Sequence, residues 1–265
     1  MEIIVLGSGS NGGIPQVDCM ECETCLTAIR EGIPNRRTRS SIAIKDKSKY
    51  VLIDATPDLA YQLIREGIST REISHILLTH AHGDHCLGLY EFSVGKKLRT
   101  SVMSAKEVLN EVFRMMPYLI EDEWLKAYPI KDKSSFKLGS LEVHPFKVPH
   151  RVKYSPFESE GGFALGYKII CEASLAYMPD IAEVTDEVLN QISGVDVLFT
   201  DGTFYEDSRF SHICIKKQIP ILKELSIGSV YFTHINHTEP LHEVMERRLE
   251  AYGYHIAYDG MGILI

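Results

Sequence analysis

The feature that most constrains this chain is the stretch 79–85, Thr-His-Ala-His-Gly-Asp-His, in which three histidines and one aspartate lie within six residues. It follows the apolar run 76–78, which predicts a buried strand. Imidazole and carboxylate groups are ligands for zinc, manganese and iron. The candidate metal ligands at this strand end are therefore His80, His82, Asp84 and His85, and the alternative interpretation is a solvated, histidine-rich loop.

Length and composition indicate one globular domain. The chain has 265 residues, of which 45% are hydrophobic and 24% are charged, as in ordinary globular proteins. No low-complexity linker, charge block or repeat divides it, so we predict a single domain over 1–265. The net charge of −8 argues against a large nucleic-acid-binding face, which needs a basic stripe.

Targeting signals are not evident in the sequence. No apolar run approaches the roughly 18 residues that a membrane span requires. The first residues, Met-Glu-Ile-Ile-Val-Leu, lack a basic segment and indicate a first strand rather than a signal peptide. We therefore expect a cytoplasmic protein that does not interact with a membrane.

Periodicity predicts a mixture of strands and helices. Strands are expected at about 2–7, 41–46, 50–54, 75–79, 141–147, 163–170, 174–178, 196–200, 229–233 and 254–258. Helices are expected near 57–66, 104–116, 185–192, 214–225 and 239–251. Several consecutive strands precede single helices, which favours an α/β (α+β) fold with helices outside the sheets. The segment 86–130 is the least strand-like, and we predict a helical insertion there.

Three further polar residues lie at strand ends, as His80 does. His150, Asp180 and His234 each follow a short apolar run. Strand ends that converge on one edge can place these groups around a pair of metal ions. The remaining histidines outside this pattern are interpreted as structural or exposed: His75, His144, His242 and His255.

This motif order resembles the metallo-β-lactamase superfamily. The resemblance implies an αββα sandwich of two mixed β-sheets flanked by helices. It also implies two divalent ions, zinc, manganese or iron, that share a hydroxide. One ion would be held by His80, His82 and His150, and the other by Asp84, His85 and His234, with Asp180 bridging. Asp54 matches an early aspartate of the family that supports the metal loop.

A second metal site is predicted in a cysteine-rich loop at about 17–27. Cys19, Cys22 and Cys25 are spaced i, i+3, i+6, and in a reducing compartment that spacing indicates metal binding before it indicates disulfides. His237 would complete a structural zinc site of three cysteines and one histidine. The competing fourth ligands are the other cysteines, Cys86, Cys171 and Cys214.

Two families within the superfamily are similar to this sequence. One is the phosphonate-pathway phosphodiesterase that opens cyclic ribose phosphates, similar in its cysteine-rich loop, in Thr-His-x-x-His at 233–237 and in Asp-Gly-Met at 259–261. The other is the pyrroloquinoline-quinone biosynthesis protein B, similar at 7–16, 37–41 and 201–203. The intact His-x-His-x-Asp-His motif favours the hydrolase, although the cysteine spacing differs from that of the phosphodiesterase by one residue.

The resemblance implies a metal-dependent hydrolase, and specifically a phosphodiesterase for a small phosphodiester, with cyclic phosphodiesters included. Its catalytic residues would be Asp84, which holds a metal, and His212, which would protonate the leaving oxygen. The alternatives are a non-catalytic metalloprotein or oxygenase of quinone biosynthesis, a tRNA 3′-processing nuclease and a thiolesterase. The expected partner is a small phosphodiester rather than nucleic acid, and whether the protein is a homodimer stays open.

Overall fold

Two mixed, seven-stranded β-sheets form the framework of a computed structural model, which describes residues 1–131, 134–151, 162–209 and 211–265. The first sheet has the order β14-β1-β2-β3-β4-β5-β6. Its strands are β1 (Glu2–Gly7), β2 (Ser41–Asp46), β3 (Lys49–Ile53), β4 (Ile73–Leu77), β5 (Thr100–Ala105), β6 (Leu125–Ile130) and β14 (Gly262–Leu264).

The second sheet has the order β13-β12-β11-β10-β9-β8-β7. Its strands are β7 (Phe136–Leu138), β8 (Leu141–Pro149), β9 (Phe163–Ile170), β10 (Ser174–Met178), β11 (Val197–Asp201), β12 (Ser229–Thr233) and β13 (Tyr254–Ile256). In each sheet one half consists of three antiparallel pairings and the other half of three parallel pairings. The two sheets therefore share one pattern of strand directions.

Helices flank the two sheets. They are α1 (Glu23–Glu31), α2 (Leu59–Arg65), α3 (Gly83–Cys86), α4 (Lys106–Met115), α5 (Tyr118–Glu121), α6 (Asp186–Ile192), α7 (Ile215–Lys223) and α8 (His242–Glu250). Local sequence explains their ends: the Thr185 side chain caps α6 by accepting a hydrogen bond from Val188 N at 3.4 Å, and Gly67 follows α2 in a left-handed conformation. The predicted sandwich of two mixed sheets with flanking helices is confirmed.

The core has two layers. The larger hydrophobic cluster joins the facing sheets and includes Ile3 and Leu52 of the first sheet with Tyr167 and Phe199 of the second. A second cluster packs the outer face of the second sheet against its helices, as Ile192 and Leu222 do. Burying one large apolar side chain stabilises a fold by roughly 1.5–3 kcal/mol. Packing in these two clusters holds the strands in position, including the strand ends where the candidate metal ligands lie.

The prediction of a helical insertion at 86–130 is wrong in part. The segment contains α4 and α5, but it also contributes β5 and β6 to the first sheet. β6 has mostly exposed side chains and includes Pro129, so it lacks the apolar pattern of a buried strand. The short strands β7 and β14 were likewise not predicted, because three residues give too little periodicity.

The cysteine-rich loop also ends earlier than predicted. α1 begins at Glu23, inside the predicted range 17–27, and Cys25 lies in its first turn. The Cys22 sulfur caps the start of α1 by accepting a hydrogen bond from Cys25 N at 3.3 Å.

In the part of the chain that the structure describes, no helix is long and apolar enough to cross a membrane.

Candidate metal centre

The carboxyl ends of neighbouring strands meet at one edge of the sandwich. Asp54 follows β3, the loop 79–85 follows β4, Asp180 follows β10, and His234 follows β12. The carboxyl ends of parallel strands are the usual location of binding sites in sheets of this kind. His150, which follows β8, reaches the same edge because its ring lies 4.9 Å from that of His80.

Three imidazoles form the first ligand group. His80 Nε2 lies 2.9 Å from His82 Nδ1, and His150 Nε2 lies 3.5 Å from the same His82 nitrogen. His80 and His150 are buried, whereas His82 is exposed. Three ring nitrogens that converge in this way cannot all be satisfied by hydrogen bonds among themselves, but one cation can satisfy all three.

The second ligand group combines carboxylate and imidazole. Asp84 Oδ2 lies 3.2 Å from His85 Nε2 and 3.5 Å from His234 Nε2. Asp180 lies beside this group, with Oδ2 at 3.0 Å from His85 Nε2 and Oδ1 at 3.4 Å from His234 Nε2. Asp180 also forms a compact set with His80 and His85, so it lies between the two groups.

Asp54 supports the first sheet's histidines. It accepts hydrogen bonds from Thr79 N at 2.8 Å, from the Thr79 hydroxyl, and from His85 Nδ1 at 2.8 Å. Because the single Thr79 hydroxyl hydrogen is donated to Asp54, Thr79 Oγ1 accepts from His80 Nδ1 at 2.9 Å. The Nε2 lone pairs of His80 and His85 are consequently directed inward, as metal ligation requires.

A corresponding support in the second sheet was not identified from the sequence as a functional feature. Asp201, fully buried at the end of β11, accepts from the Thr203 hydroxyl at 2.6 Å and from His212 Nδ1 at 2.7 Å. Thr203 Oγ1 therefore accepts from His234 Nδ1 at 2.9 Å, which leaves His234 Nε2 free for a ligand. The signal was available, because Asp201 lies at a strand end as the other site residues do.

Two site residues have left-handed backbones. Asp54 has φ 66° and His234 has φ 61°, and neither is glycine. This conformation is unfavourable for residues that carry a Cβ, and it persists where the surrounding structure enforces it. At both positions the turn directs a polar side chain from a strand end into the site.

The donor set fits metal ions. Asp180 Oδ2 and His234 Nε2 are buried and have no hydrogen-bonding partner of normal geometry among the described residues. Burial lowers the pKa of His80 well below its ordinary value and lowers that of His150 to about 4, so both rings are neutral, which is the form that binds metal. Burial opposes ionisation of Asp180, but the neighbouring imidazoles of His234 and His85 outweigh it and hold its pKa well below the usual value.

A cavity of about 440 Å³ opens over these groups. It is lined on one side by His82, Asp84, Asp180 and His234, and elsewhere by residues including Ser10, Phe204, His212 and Asn236. Burial disfavours the charged form of His212, but the nearby Asp201 and Asp180 carboxylates outweigh it and raise its pKa to about 9. His212 is thus a proton-bearing group beside the candidate metal ligands.

The predicted thiolate cluster is also brought together. Cys19, Cys22, Cys25 and His237 present ligand atoms that all lie within 4.8 Å of one another. The Cys22 and Cys25 sulfurs each lie 3.7 Å from His237 Nδ1. Tetrahedral zinc with bonds of about 2.3 Å to sulfur and 2.0 Å to nitrogen separates such ligand atoms by about 3.5 Å. The four groups therefore fit a closed zinc site.

The competing cysteines lie elsewhere. The Cys86 sulfur donates to Ala81 O, and the Cys214 sulfur donates to Glu206 O, whereas Cys171 packs against the core between the sheets. All six cysteines are free thiols. Burial raises the pKa of Cys25 to about 12, which a bound metal ion would have to overcome by displacing the proton.

Known sequences match this chain over most or all of its length. The beta-lactamase superfamily domain matches residues 49–235. Coenzyme PQQ synthesis protein B of Methylobacterium sp. (strain 4-46) is 30% identical over 304 residues, covering 100% of both chains.

Two solved structures are similar to this chain over nearly its whole length. Zn(2+)-bound PqqB from Methylobacterium extorquens is 28% identical with a TM-score of 0.87, covering 100% of both chains. A diphosphatase from the PhnP family is 28% identical with a TM-score of 0.83, covering 99% of this chain and 96% of the other.

Proposed function

This chain belongs to the beta-lactamase superfamily, and from that premise we propose that it is a metal-dependent hydrolase that cleaves a small phosphodiester. The observation that carries the proposal is the convergence of two ligand groups on either side of Asp180, beneath a cavity that also contains His212. Similarity to a diphosphatase of the PhnP family supports a phosphorus-containing substrate.

The residues present divide into two metal sites. His80, His82 and His150 would hold one divalent ion, and the other would be held by Asp84, His85 and His234, with Asp180 shared between them. Mixed nitrogen and oxygen ligands suit zinc, manganese or iron. A bound pair of such ions supplies Lewis acidity and an activated water for attack on phosphorus.

The surrounding side chains orient the ligands and move a proton. Thr79 and Thr203 fix the tautomers of His80 and His234 through their hydroxyls. His212 is held by Asp201 through Nδ1, at 2.7 Å, and lies in the cavity wall. A protonated His212 would donate to the leaving oxygen, and general acids of this kind contribute roughly 10²–10⁴-fold to rate.

The thiolate cluster has a different proposed role. A zinc ion held by Cys19, Cys22, Cys25 and His237 would have no open position for substrate, so it would stabilise the fold. His237 lies three residues after His234 on the same segment. The structural ion would therefore tie the N-terminal loop to the edge that holds the catalytic groups.

A second candidate function is a role like that of coenzyme PQQ synthesis protein B. The observation that favours it is 30% identity over the whole of both chains. In that case the same residues would bind metal without hydrolysing phosphodiesters. The two candidates differ in one measurable property, the turnover of an ester.

The test combines elemental analysis with a substrate screen. Purified protein is analysed for metals and then assayed with bis(p-nitrophenyl) phosphate and with cyclic phosphates, after loading with zinc, manganese or iron. We expect more than two metal equivalents and turnover with at least one metal. Full metal content with no turnover of any phosphodiester would refute the hydrolase and favour the second candidate.

A further inference from the structure

A buried group of polar side chains joins three sequence segments that resemble known relatives but contribute no candidate metal ligand, namely 7–16, 37–41 and 259–261. Each segment supplies one residue to this group, the Ser8 cluster, which consists of Ser8, Arg37 and Asp259. All three are at most 4% exposed, and two of them carry charged groups. Burying a charge costs free energy that hydrogen bonds must offset, so the contacts of this cluster are strongly constrained.

The Ser8 hydroxyl is held between the two charged side chains. Ser8 Oγ accepts from Arg37 Nη1 at 2.8 Å and donates to Asp259 Oδ1 at 2.8 Å. Arg37 also donates to Ala257 O, and Asp259 Oδ2 accepts from Thr38 N at 2.8 Å. Because guanidinium can only donate, the single hydroxyl hydrogen of Ser8 must be directed at the carboxylate. The side chain of Ser8 therefore has one orientation.

The backbone around Ser8 fixes the residue that follows His234. Ile235 N donates to Ser8 O at 2.9 Å, and Ser10 N donates to Ile235 O at 2.9 Å. Both polar backbone groups of Ile235 are thus bonded to the loop after β1. The position of that loop, which the Ser8 side chain anchors, consequently determines where Ile235 lies.

The residue that precedes His234 is also held in place. Gly202 N donates to Thr233 O at 2.7 Å, and a Cβ at position 202 would lie only 2.8 Å from the same oxygen, so glycine permits this close approach. The Ser40 hydroxyl donates to Gly9 O at 3.1 Å, and it therefore accepts from the Thr233 hydroxyl, also at 3.1 Å. The loop after β1 thus restrains both neighbours of His234.

These restraints account for the left-handed backbone of His234. A residue with a Cβ keeps a φ of 61° where the surrounding structure over-determines it, as the bonds to Thr233 and Ile235 do here. Thr203 orients the His234 ring through Nδ1, whereas the restraints on the backbone decide where that ring lies. The other candidate ligands of the same ion are in the loop 79–85, which Asp54 supports instead.

We propose that the Ser8 cluster positions His234 and thereby sets the affinity of the one catalytic metal ion that His234 would bind. This inference rests on the proposed function, because it takes His234 to be a metal ligand. Misplacing a single ligand weakens the ion that it holds. The ion of the three-histidine group should keep its affinity, because none of its ligands is in the segment 233–235.

Titration with cobalt(II) tests the inference without turnover, because the visible absorption of bound cobalt reports the ligands and geometry of each site. The variants His234→Ala and His150→Ala identify which absorption belongs to which ion. Ser8→Ala removes the hydroxyl that anchors the loop. We expect it to weaken the ion that His234→Ala loses by about tenfold, the lower end of the range for losing an outer partner of a ligand, and to leave the other ion unchanged.

A second pair of variants tests the other side of His234. Thr233→Val removes the hydroxyl bond to Ser40 with little change in shape, and it should weaken the same ion, although less. Thr233→Ser keeps the hydroxyl and should restore the affinity. This pair decides the question if Ser8→Ala does not fold.

The matched control is another buried serine. Ser104 is fully buried, and its hydroxyl donates to Leu78 O at 2.7 Å in the first sheet. Ser104→Ala makes the same substitution away from the segment 233–235, so it should not weaken the His234 ion selectively. Thermal unfolding of every variant separates a loss of overall stability, which would affect both ions, from a displaced ligand.

The outcomes distinguish positioning from the proposed hydrolase. Equal weakening of both ions, a loss that Ser104→Ala reproduces, or unchanged affinity in Ser8→Ala and Thr233→Val would overturn the positioning role, and the hydrolase would stand if the parent protein turns over phosphodiesters. Selective loss of the His234 ion, in a protein that turns over no phosphodiester, would support the positioning role and refute the hydrolase. Retention of both ions by His234→Ala would overturn the ligand assignment and the positioning role with it.

Discussion

The two sheets have the same pattern of strand directions, yet they contribute their candidate metal ligands differently. The first sheet supplies four ligands from one loop, 79–85, after β4. The second supplies His150, Asp180 and His234 from the ends of three different strands. A short loop can concentrate ligands that are close in sequence, whereas the second set depends on the folded sheet to bring it together.

The supporting carboxylates make the comparison sharper. Asp54 and Asp201 are both fully buried, and each accepts from a threonine hydroxyl and from the Nδ1 of a histidine. The histidine on Asp54 is His85, which belongs to a ligand group, whereas the histidine on Asp201 is His212, which faces the cavity. The same local arrangement thus supports a candidate metal ligand in one sheet and the proposed proton donor in the other.

The largest effect is expected from removing His85, because the variant should lose a metal ion, whereas a variant at His212 should not. His85→Ala, like Asp84→Ala, should lose one metal equivalent and most turnover on every ester while the fold survives, because it removes a ligand. Elemental analysis and turnover measure this, and circular dichroism controls for folding. A variant that keeps its full metal content and full turnover would remove His85 from the ligand set.

His212→Ala should instead keep all metal ions. Loss of a general acid is expected to reduce turnover of esters with poor leaving groups by roughly 10²–10⁴-fold. Esters of p-nitrophenol should be affected far less, since p-nitrophenolate barely needs a proton. Rates on an alkyl and a nitrophenyl ester give the comparison, and equal losses on both would mean that His212 only binds substrate or supports the fold.

Removing the structural zinc should disturb the second sheet's segment without emptying the catalytic sites. Cys22→Ser is expected to release one zinc and to lower the free energy of unfolding, because binding of a structural ion is coupled to folding. Each 1 kcal/mol lost lowers the Tm of a chain of this size by roughly 2–4 °C. Cys171→Ser, at a cysteine outside the cluster, is the matched control. The idea fails if Cys22→Ser retains all zinc, or if the two substitutions have the same effect.

The smallest effect is expected from the threonine hydroxyls. Thr79→Val leaves His80 Nδ1 without an acceptor, and Thr203→Val does the same to His234. Loss of such outer partners typically weakens metal affinity by about 10–100-fold. Competition with a chelator should detect it, and Thr79→Ser and Thr203→Ser, which keep the hydroxyl, should restore affinity. Unchanged affinity in both valine variants would show that the supporting bonds do not tune the metals.

The difference between signals that are local in sequence and contacts that form only in the folded chain explains what the sequence could predict. Strands with continuous apolar runs, such as β1, β2 and β9, lie where they were expected, because buried strands have a strong local signal. β6 was missed because its side chains are mostly exposed. The motif 79–85 was evident from spacing alone, whereas the assignment of His150 and His234 as metal ligands needed the family's order as well as their position at strand ends. Asp201 was overlooked as a support because it acts on the candidate ligand His234 through Thr203, and Thr203 and His234 meet only in the folded chain.

The left-handed backbones at Asp54 and His234 have a consequence for engineering. A sequence chosen only for local backbone preference would place glycine at both positions, since glycine adopts this conformation without steric cost. The protein instead keeps a carboxylate and an imidazole there. Programmes that stabilise this scaffold by optimising local backbone preference would therefore tend to erase these two residues first, and positions 54 and 234 should be held constant in any such library.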